Sequence, residues 1–533
     1  MSNPPKSSRS LVNIAGIVAI ATLISKVFGL VRQQSIAAAF GVGPTVDAFS
    51  YAYVIPGFLL ILLGGINGPF HSAIVSVLSK RERNDAAILV ETITTIIGGA
   101  LLLVSVLVFL GADVLIHLIG PGLEADTRAI AVQQLRIMSP MAMLAGLIGI
   151  GFGTLNSADH YWLPSISPLL SSSTVLVGLG ILVLVLGDNI TDPRYAMIGG
   201  IVLAASTLGG AVVQWLAQLP VQWKAGLGRL RLRFNIHEPG VMDVLKVMGP
   251  ATFASGMMQI NVYTDLFFAS SMPQAAAALN YANLLVQTPL GIISSVLLVP
   301  LLPVFSRLAD PRDWPELKER VRQGLFLTAL TMLPLGALMM ALAFPIVRVV
   351  YERFAFDAEA SRLVSSVLIA YGIGMFVYLG RDVLVRVFYG LGDADTPFKI
   401  SVVNIFLNAL LDFILIQLFG VPGLVLATVG VNLISMVALL WFLDRRLQGL
   451  PWETWAKPIV LMIGGSAIAG AACWATRLGI ESILGTEGFF IQLVNITLAG
   501  AVGLGVFGAI AAQLQVPEVA LLVNLIKQRF VRR

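Results

Sequence analysis

Charge is scarce in this chain. Of its 533 residues only 12% are Asp, Glu, Lys or Arg, against about 25% in a soluble globular protein. A chain this long would need far more charge to wet its surface and divide into soluble domains. Cysteine is almost missing. The single Cys473 excludes an internal disulfide and any cysteine-rich metal site. The histidines His71, His117, His160 and His237 are scattered and show no metal-ligand spacing. No Gly-x-x-x-x-Gly-Lys-Ser/Thr run occurs, so there is no loop of the kind that cradles ATP phosphates. No Ser/His/Asp or Cys/His set is apparent, and the polar connections are too short for a catalytic domain. An enzyme is therefore not expected. Gly149-x-Gly151-x-Gly153 lies within an apolar stretch and fits close helix packing, not a nucleotide turn.

What the chain has in excess is apolar length. Hydrophobic residues make up 57% of it, and its mean hydropathy is +0.88. About 20 apolar residues cross a bilayer as a helix. Fourteen stretches approach or exceed this length: 11–40, 45–77, 86–112, 128–156, 163–187, 196–222, 243–271, 275–306, 322–350, 360–391, 397–419, 422–443, 456–477 and 488–514. The expected fold is an all-α integral membrane protein with about fourteen transmembrane helices. The first stretch follows Lys6 and Arg9 and runs on into further membrane segments, so it reads as an uncleaved helix and not as a signal peptide.

The formal net charge is +5, and its distribution speaks for topology and not for nucleic acid. Lys and Arg cluster in alternate connections: Lys80 to Arg83, Lys224 to Arg233, Arg307 to Arg322, Arg445-Arg446, and the tail Lys527 to Arg533. The positive-inside rule then places both termini in the cytoplasm. An internal repeat supports two halves in the same orientation. Leu155-Asn156-Ser157-Ala158-Asp159, with Pro164 following, echoes Leu391-Gly392-Asp393-Ala394-Asp395, with Pro397 following. Parallel repeats of this kind are a known transporter design. The expected organisation is an N-terminal six-helix lobe over 1–222 and a basic cytoplasmic linker over 223–240. A C-terminal six-helix lobe spans 241–447, and two extra helices with a basic tail span 448–533.

Ionisable residues inside the stretches are the candidates for function, because each is costly in hydrocarbon. Asp265, Asp412 and Thr428 fall at similar depth towards the outer side, and Asn408 lies one turn from Asp412 on the same helix face. Two carboxylates, an amide oxygen and a hydroxyl form a hard-oxygen set for a small cation. Sodium suits a carrier better than calcium, because it must leave in each cycle. The same carboxylates also fit proton coupling, or a structural role in which each is capped by a nearby hydroxyl. Ser25, Gly29 and Arg32 share one face of the first helix, with Lys26 about 100° around. A lysine and an arginine in a cavity suit a phosphate or diphosphate. The alternative is that Arg32 marks an early end of the helix and snorkels to the interface. Asp47 opens the second segment as counter-charge or cap. Asp382 and Arg386 stand at i,i+4 with Arg381 facing elsewhere, and Arg386 is near enough to the surface to snorkel.

Several of these stretches resemble the lipid II flippases, the MurJ/MviN family of the multidrug/oligosaccharidyl-lipid/polysaccharide exporter superfamily. The matches are Ser25-Lys26-Val27-Phe28-Gly29-Leu30-Val31-Arg32, Phe40-Gly41-Val42-Gly43, Asp47-Ala48-Phe49, Pro56, and Arg386 through Pro397. The resemblance covers essentially the whole chain. It implies two six-helix lobes around a cationic cavity, and a groove for a polyprenyl tail at the last two helices. It implies transfer of the lipid-linked disaccharide-peptide precursor of peptidoglycan to the outer leaflet of the bacterial cytoplasmic membrane. It also implies diphosphate contacts at Lys26 and Arg32, with Ser25, Asp47, Arg381 and Arg386 as further substrate-binding candidates. A sodium site is implied at Asp265, Asn408, Asp412 and Thr428, with a backbone carbonyl near Leu424. No other cofactor is expected. The expected partners are membrane lipids, the polyprenyl-diphosphate-linked precursor and cell-wall synthesis enzymes, with the chain itself a monomer. Two departures stand out. Gly57 to Gly65 replaces a segment in which the family often carries arginines and a Glu-Gly pair, and Tyr281-Ala282-Asn283-Leu284 replaces Tyr-Ala-Asp-Arg. Arg381 is a candidate replacement. A flippase for another polyprenyl-diphosphate-linked oligosaccharide, or a drug/cation antiporter, is the alternative reading.

Overall fold

The computed structural model describes residues 8–65, 69–79, 81, 83–235, 237–238, 240–246, 259–298, 300–486 and 488–513. The basic tail Lys527 to Arg533, Lys6, Lys80 and the middle of the seventh stretch lie outside the described residues. The first nine long helices are α1 (Ser8–Phe40), α2 (Pro44–Gly64), α3 (Pro69–Leu78), α4 (Arg83–Leu110), α5 (Ala112–Ile119), α6 (Ala125–Met138), α7 (Met141–Ser157), α8 (Trp162–Leu186) and α9 (Ala196–Lys224). They are followed by α10 (Ile260–Ala269), α11 (Ala275–Leu297), α12 (Leu301–Arg307), α13 (Trp314–Ala341) and α14 (Ala343–Tyr351). The last five are α15 (Ala358–Gly390), α16 (Asp395–Phe419), α17 (Val421–Arg446), α18 (Trp452–Leu484) and α19 (Phe489–Gln513).

Among the described residues, eleven helices are long and apolar enough to cross a membrane, and α6 with α7, bent by 41° from one another, are long and apolar enough when taken together. The bend falls at Ser139-Pro140, where proline removes a helical N–H. The other two of the fourteen stretches are the 33-residue α1, and 243–271, of which only part is described. The stretch 45–77 is divided between two helices. The first ends at Gly64 and the second starts at Pro69, which fits the preference of proline for a first helical turn. The stretch 322–350 is likewise divided, between α13 and α14.

The residues gather into two compact units, one of 1–277 with 353–356 and one of 278–352 with 357–533. In the first, α7 is a central helix that packs on α2, α3, α4 and α9, while α1 packs on α8 and α8 on α9. Its glycines allow the approach. A Cβ at Gly149 would overlap the carbonyl oxygen of Leu63, and one at Gly151 would overlap the Gln218 amide. This is helix packing by small residues, as the Gly-x-Gly-x-Gly spacing indicates. In the second unit α15 packs on α13 and α17, α16 on α17, and α18 on α13 and α19.

Helix α16 is amphipathic in the sense opposite to a soluble helix. Its buried residues are Pro397, Asn404, Asn408 and Asp412, while Phe406, Leu410, Phe413 and Leu418 are exposed. Lipid solvates the apolar side, so the polar side turns to protein.

The two repeat motifs build the same turn in a shifted register. His160 N–H donates to Leu155 O at 2.9 Å across Asp159, whose φ is +64°. Asp393 N–H donates to Phe388 O at 2.9 Å across Gly392, whose φ is +72°. Both are left-handed helix C-caps with a six-to-one hydrogen bond. The structural equivalent of Asp159 is thus Gly392, not Asp395. This register also sets Pro164 opposite Pro397 near the start of the next helix. Continued along that helix, it sets Val175 opposite Asn408 and Leu179 opposite Asp412.

Candidate functional site

Asn408 and Asp412 are 1% and 0% exposed. One helical turn brings them together, and Asn408 Nδ2 donates to Asp412 Oδ2 at 2.8 Å. Asn404, 6% exposed, extends the same buried stripe by one more turn. It was missed from the sequence, although its i,i+4 spacing to Asn408 is the same signal. On the neighbouring α17, Thr428 Oγ1 donates to Leu424 O at 3.2 Å, and Asn432 Nδ2 donates to Thr428 O at 2.7 Å. The second unit therefore holds four of the five candidate ligands on two packed helices, as a carboxylate, an amide, a hydroxyl and a carbonyl. Asp265, half-buried on α10, belongs to the first unit. On α8 the positions equivalent to Asn408 and Asp412 are Val175 and Leu179, which are just as buried and apolar, while Ser171 stands opposite Asn404. The fold therefore has no need of a carboxylate at this place, and the polar pair is particular to the second half. Hard oxygen donors in a buried stripe can hold a small cation, whose charge would offset the cost of the buried carboxylate.

The first unit carries the cations. Lys26 is exposed on α1, and Arg32 is half-buried with its Nε shielded from solvent and without a hydrogen-bond partner among the described residues. A shielded guanidinium N–H that lacks an acceptor is available to an anion. Ser25, on the same helix, is 8% exposed, and its hydroxyl donates to Ser165 O of α8 at 3.1 Å. That bond ties two helices. Asp47 is 4% exposed. Its carboxylate accepts Gln274 N–H at 3.3 Å and Ala277 N–H at 3.0 Å, at the start of α11. These are helix-start donors that need an acceptor, so Asp47 acts as a cap supplied from a distant segment. The start of α2 is itself pinned: Thr45 Oγ1 donates to Ala196 O at 3.0 Å, and Gln134 Nε2 donates to Thr45 O at 3.2 Å. A cavity of about 210 Å³ lies beside Asp47, lined by Glu124, Thr127, Ser270 and Gln274.

The i,i+4 pairing of Asp382 with Arg386 is not formed. Arg386 Nη1 donates instead to Leu298 O at 3.1 Å. Asp382 pairs with its neighbour Arg381 at 3.7 Å, and Arg381 Nε also donates to Ser435 Oγ at 3.1 Å. The Leu298 carbonyl, just past the end of α11, accepts Leu301 N–H at 3.2 Å as well, and its second lone pair takes the Arg386 guanidinium.

Three charged groups that the sequence did not single out are engaged as well. Glu91 on α4 holds Arg233 at 2.6 Å. On α18, Arg477 meets Glu481 at 2.8 Å and donates to Ala341 O of α13 at 3.0 Å, and Asn495 of α19 donates to Glu481 at 3.2 Å. Among the described residues no group of three or more His, Cys, Asp or Glu could hold a metal ion, so any cation site here rests on mixed oxygen donors.

Comparison with known proteins then bears on the arrangement. The family model described as lipid II flippase MurJ matches residues 36–496. The chain is similar over its whole length to a probable lipid II flippase MurJ of Synechocystis sp., with 59% identity over 532 residues and 100% of each chain covered. Among solved structures it resembles the inward closed conformation of a lipid II flippase MurJ, with a TM-score of 0.73 and 22% identity over 93% of this chain and 99% of that one. It also resembles an inward-facing multidrug resistance MATE transporter of the MOP superfamily, with a TM-score of 0.58 and 15% identity over 81% of this chain and 98% of that one. At such identities these two likenesses speak for the fold alone.

Proposed function

Because the chain belongs to the lipid II flippase MurJ family, we propose that it carries lipid II, the lipid-linked peptidoglycan precursor, from the cytoplasmic to the outer leaflet. The observation that carries this reading is the 59% identity to a probable lipid II flippase across the entire chain. It is a transporter and not an enzyme, a multi-pass protein whose membrane is the bacterial cytoplasmic membrane with both termini in the cytoplasm.

The physical problem is the headgroup. A diphosphate-linked sugar is expensive in hydrocarbon, whereas the polyprenyl tail is at home there. Lys26 and Arg32 supply the countercharge: arginine offers a planar fork to two phosphate oxygens and lysine a compact point charge. The free Arg32 Nε supports this role. With the cavity open inward, the two cations draw in the diphosphate, and alternating access then presents it outward. Arg381, tied to Ser435 and Asp382, serves as a further headgroup contact when the cargo replaces those partners.

Sodium is the coupling ion in this reading, held in the second unit by Asn408, Asp412, Thr428 and the Leu424 carbonyl, with Asp265 of the first unit a separate candidate. It biases the cycle only as far as it binds one conformation more tightly than the other. The apolar counterpart at Val175 and Leu179 supports a dedicated role for the polar stripe.

The test is rescue. The chain is expressed in a bacterium depleted of its own lipid II flippase, and labelled precursor is followed across the membrane. Growth with flipping is the expected result. Good membrane expression without flipping would overturn it, and would favour a different polyprenyl-diphosphate-linked sugar, in keeping with the departures at Gly57 to Gly65 and Asn283-Leu284.

A further inference from the structure

The segment after α9 forms no helix, yet its course is fixed. Gln222 Nε2 donates to Leu227 O at 3.2 Å, and Leu227 N–H returns to Gln222 O at 3.1 Å. Past Gly228, whose φ is +94°, the chain runs along α4. Arg229 N–H donates to Glu91 Oε1 at 2.8 Å, Arg233 N–H to Thr95 Oγ1 at 3.0 Å, and Arg233 Nε to Glu91 Oε2 at 2.6 Å. Glu91 is 6% exposed, so a buried carboxylate of a membrane helix is committed to holding this segment.

The chain bends at Leu230, where Arg231 N–H donates to Arg229 O at 2.9 Å, and is extended from Arg231 to Phe234, so that side chains there alternate. On one side stand Leu230, Leu232 and Phe234, which are 53%, 80% and 75% exposed. On the other stand Arg229, Arg231 and Arg233, the first two exposed and the third turned to Glu91. Three large apolar side chains exposed within five residues form an unusual patch for a water-facing loop. Their depth explains them. Counting about 20 residues back from Leu110, the outer end of α4, puts Glu91 at the membrane boundary. Thr95 is then about 6 Å inside it at 1.5 Å per residue. The segment lies on the Lys/Arg-rich side, beside the exposed Trp223 and Lys224, residue types that settle at the interface.

We propose that residues 223–234 form an interfacial strap and a binding site for anionic phospholipid headgroups of the cytoplasmic leaflet. Leu230, Leu232 and Phe234 enter the acyl boundary, and Arg229 and Arg231 hold lipid phosphates. Arginine gives the phosphate a bidentate contact, and the apolar row fixes the height at which it is offered. Glu91 and Thr95 satisfy backbone N–H groups that would otherwise be stranded at this depth.

Single cysteines at 229 through 234, in a Cys473→Ala background, are spin-labelled in bilayers containing phosphatidylglycerol. Accessibility to oxygen is compared with accessibility to a water-soluble nickel chelate. Oxygen should dominate at 230, 232 and 234, and nickel at 229 and 231. Six positions all open to nickel would overturn the strap. The headgroup site is read separately, from the phosphatidylglycerol retained by detergent-purified protein. An R229Q/R231Q variant should retain at least about threefold less than wild type, whereas R312Q, at an exposed arginine of the second unit, should match wild type. Equal retention by all three proteins would overturn the site even if the alternation were found.

Discussion

A buried carboxylate in a membrane helix has to be compensated, and at Asp412 part of the compensation is visible in the amide of Asn408. The repeat supplies a control within the same chain, because Val175 and Leu179 fill the equivalent buried positions. The double variant N408V/D412L should therefore fold and insert, at a cost of about 1–3 kcal/mol because leucine is larger than the aspartate it replaces. Wild-type protein should melt at a higher temperature in sodium chloride than in potassium chloride, since a ligand that binds only the folded state stabilises it. The variant should show no difference. A sodium-dependent shift that survives the double substitution would place the ion elsewhere. Arg32 is the corresponding candidate for the cargo. Removing a charge-assisted contact costs about 1.5–3 kcal/mol, so Arg32→Ala should weaken flipping roughly tenfold or more, read as initial rate of labelled precursor transfer. Full activity in that variant would remove Arg32 from the headgroup contacts.

At the scale of elements, two polar clusters hold helices together. Asp393 lies between α15 and α16. Thr396 N–H and the Thr396 hydroxyl bond its carboxylate at 3.0 and 2.8 Å, and Arg446 of α17 also reaches it. Partial burial alone would raise its pKa, but the Thr396 bonds and the Arg446 charge outweigh that and hold it below the ordinary 3.8. A depressed carboxylate pKa contributes stability above the ordinary value, and that contribution is lost as the pH falls through the depressed value. Asp393→Asn should thus lower the melting temperature at pH 7 by an amount equivalent to about 1 kcal/mol, as for loss of the charge from a partly exposed ion pair, since asparagine keeps an acceptor for Thr396. The gap to wild type should narrow below pH 4. A gap constant from pH 7 to pH 3 would exclude this linkage. The second cluster, Arg477 with Glu481, Asn495 and Ala341 O, ties α18 and α19 to α13. Arg477→Leu leaves a shielded carboxylate without its cation, a change that costs about 3–5 kcal/mol in buried pairs. Thermal melting of the purified variant should show a loss of that order, and an unchanged melt would make the cluster dispensable.

For the molecule as a whole, one pattern recurs: lipid reverses the usual placement of polarity. The long helices show apolar faces outward and gather Asn, Gln, Ser and charged residues inside, as α16 and α9 both do. Prolines inside α2, α8, α9, α11, α13 and α18 are tolerated because neighbouring helices can satisfy the freed carbonyls. A carrier needs such breaks, since alternating access requires elements with two discrete packings. Growth rescue in a flippase-depleted host should depend on this complete architecture. A chain ending at residue 447, without α18 and α19, should insert but fail to rescue, because the groove expected for the polyprenyl tail would be lost with them. Rescue by the shortened chain would show that the first twelve stretches suffice.

Apolar length is a one-dimensional signal, and it alone determined an all-helical, multi-pass membrane protein. The Asn408–Asp412 pair was also legible, because both residues lie on one helix and 3.6-residue periodicity fixes their meeting. Partnerships between distant segments were not. Asp382 and Arg386 have the right spacing for a pair, yet the Leu298 carbonyl takes Arg386 from another helix. Asp47 read as a counter-charge or cap, and only the tertiary fold brings it the N–H groups of Gln274 and Ala277. Glu91 passed unnoticed because its arginine comes from a segment 142 positions away. The physical reason is common to all three. A helix dictates the neighbours of a side chain within one or two turns, whereas hydrogen-bond donors and acceptors freed at helix ends and in loops are claimed by whichever segment packing brings near.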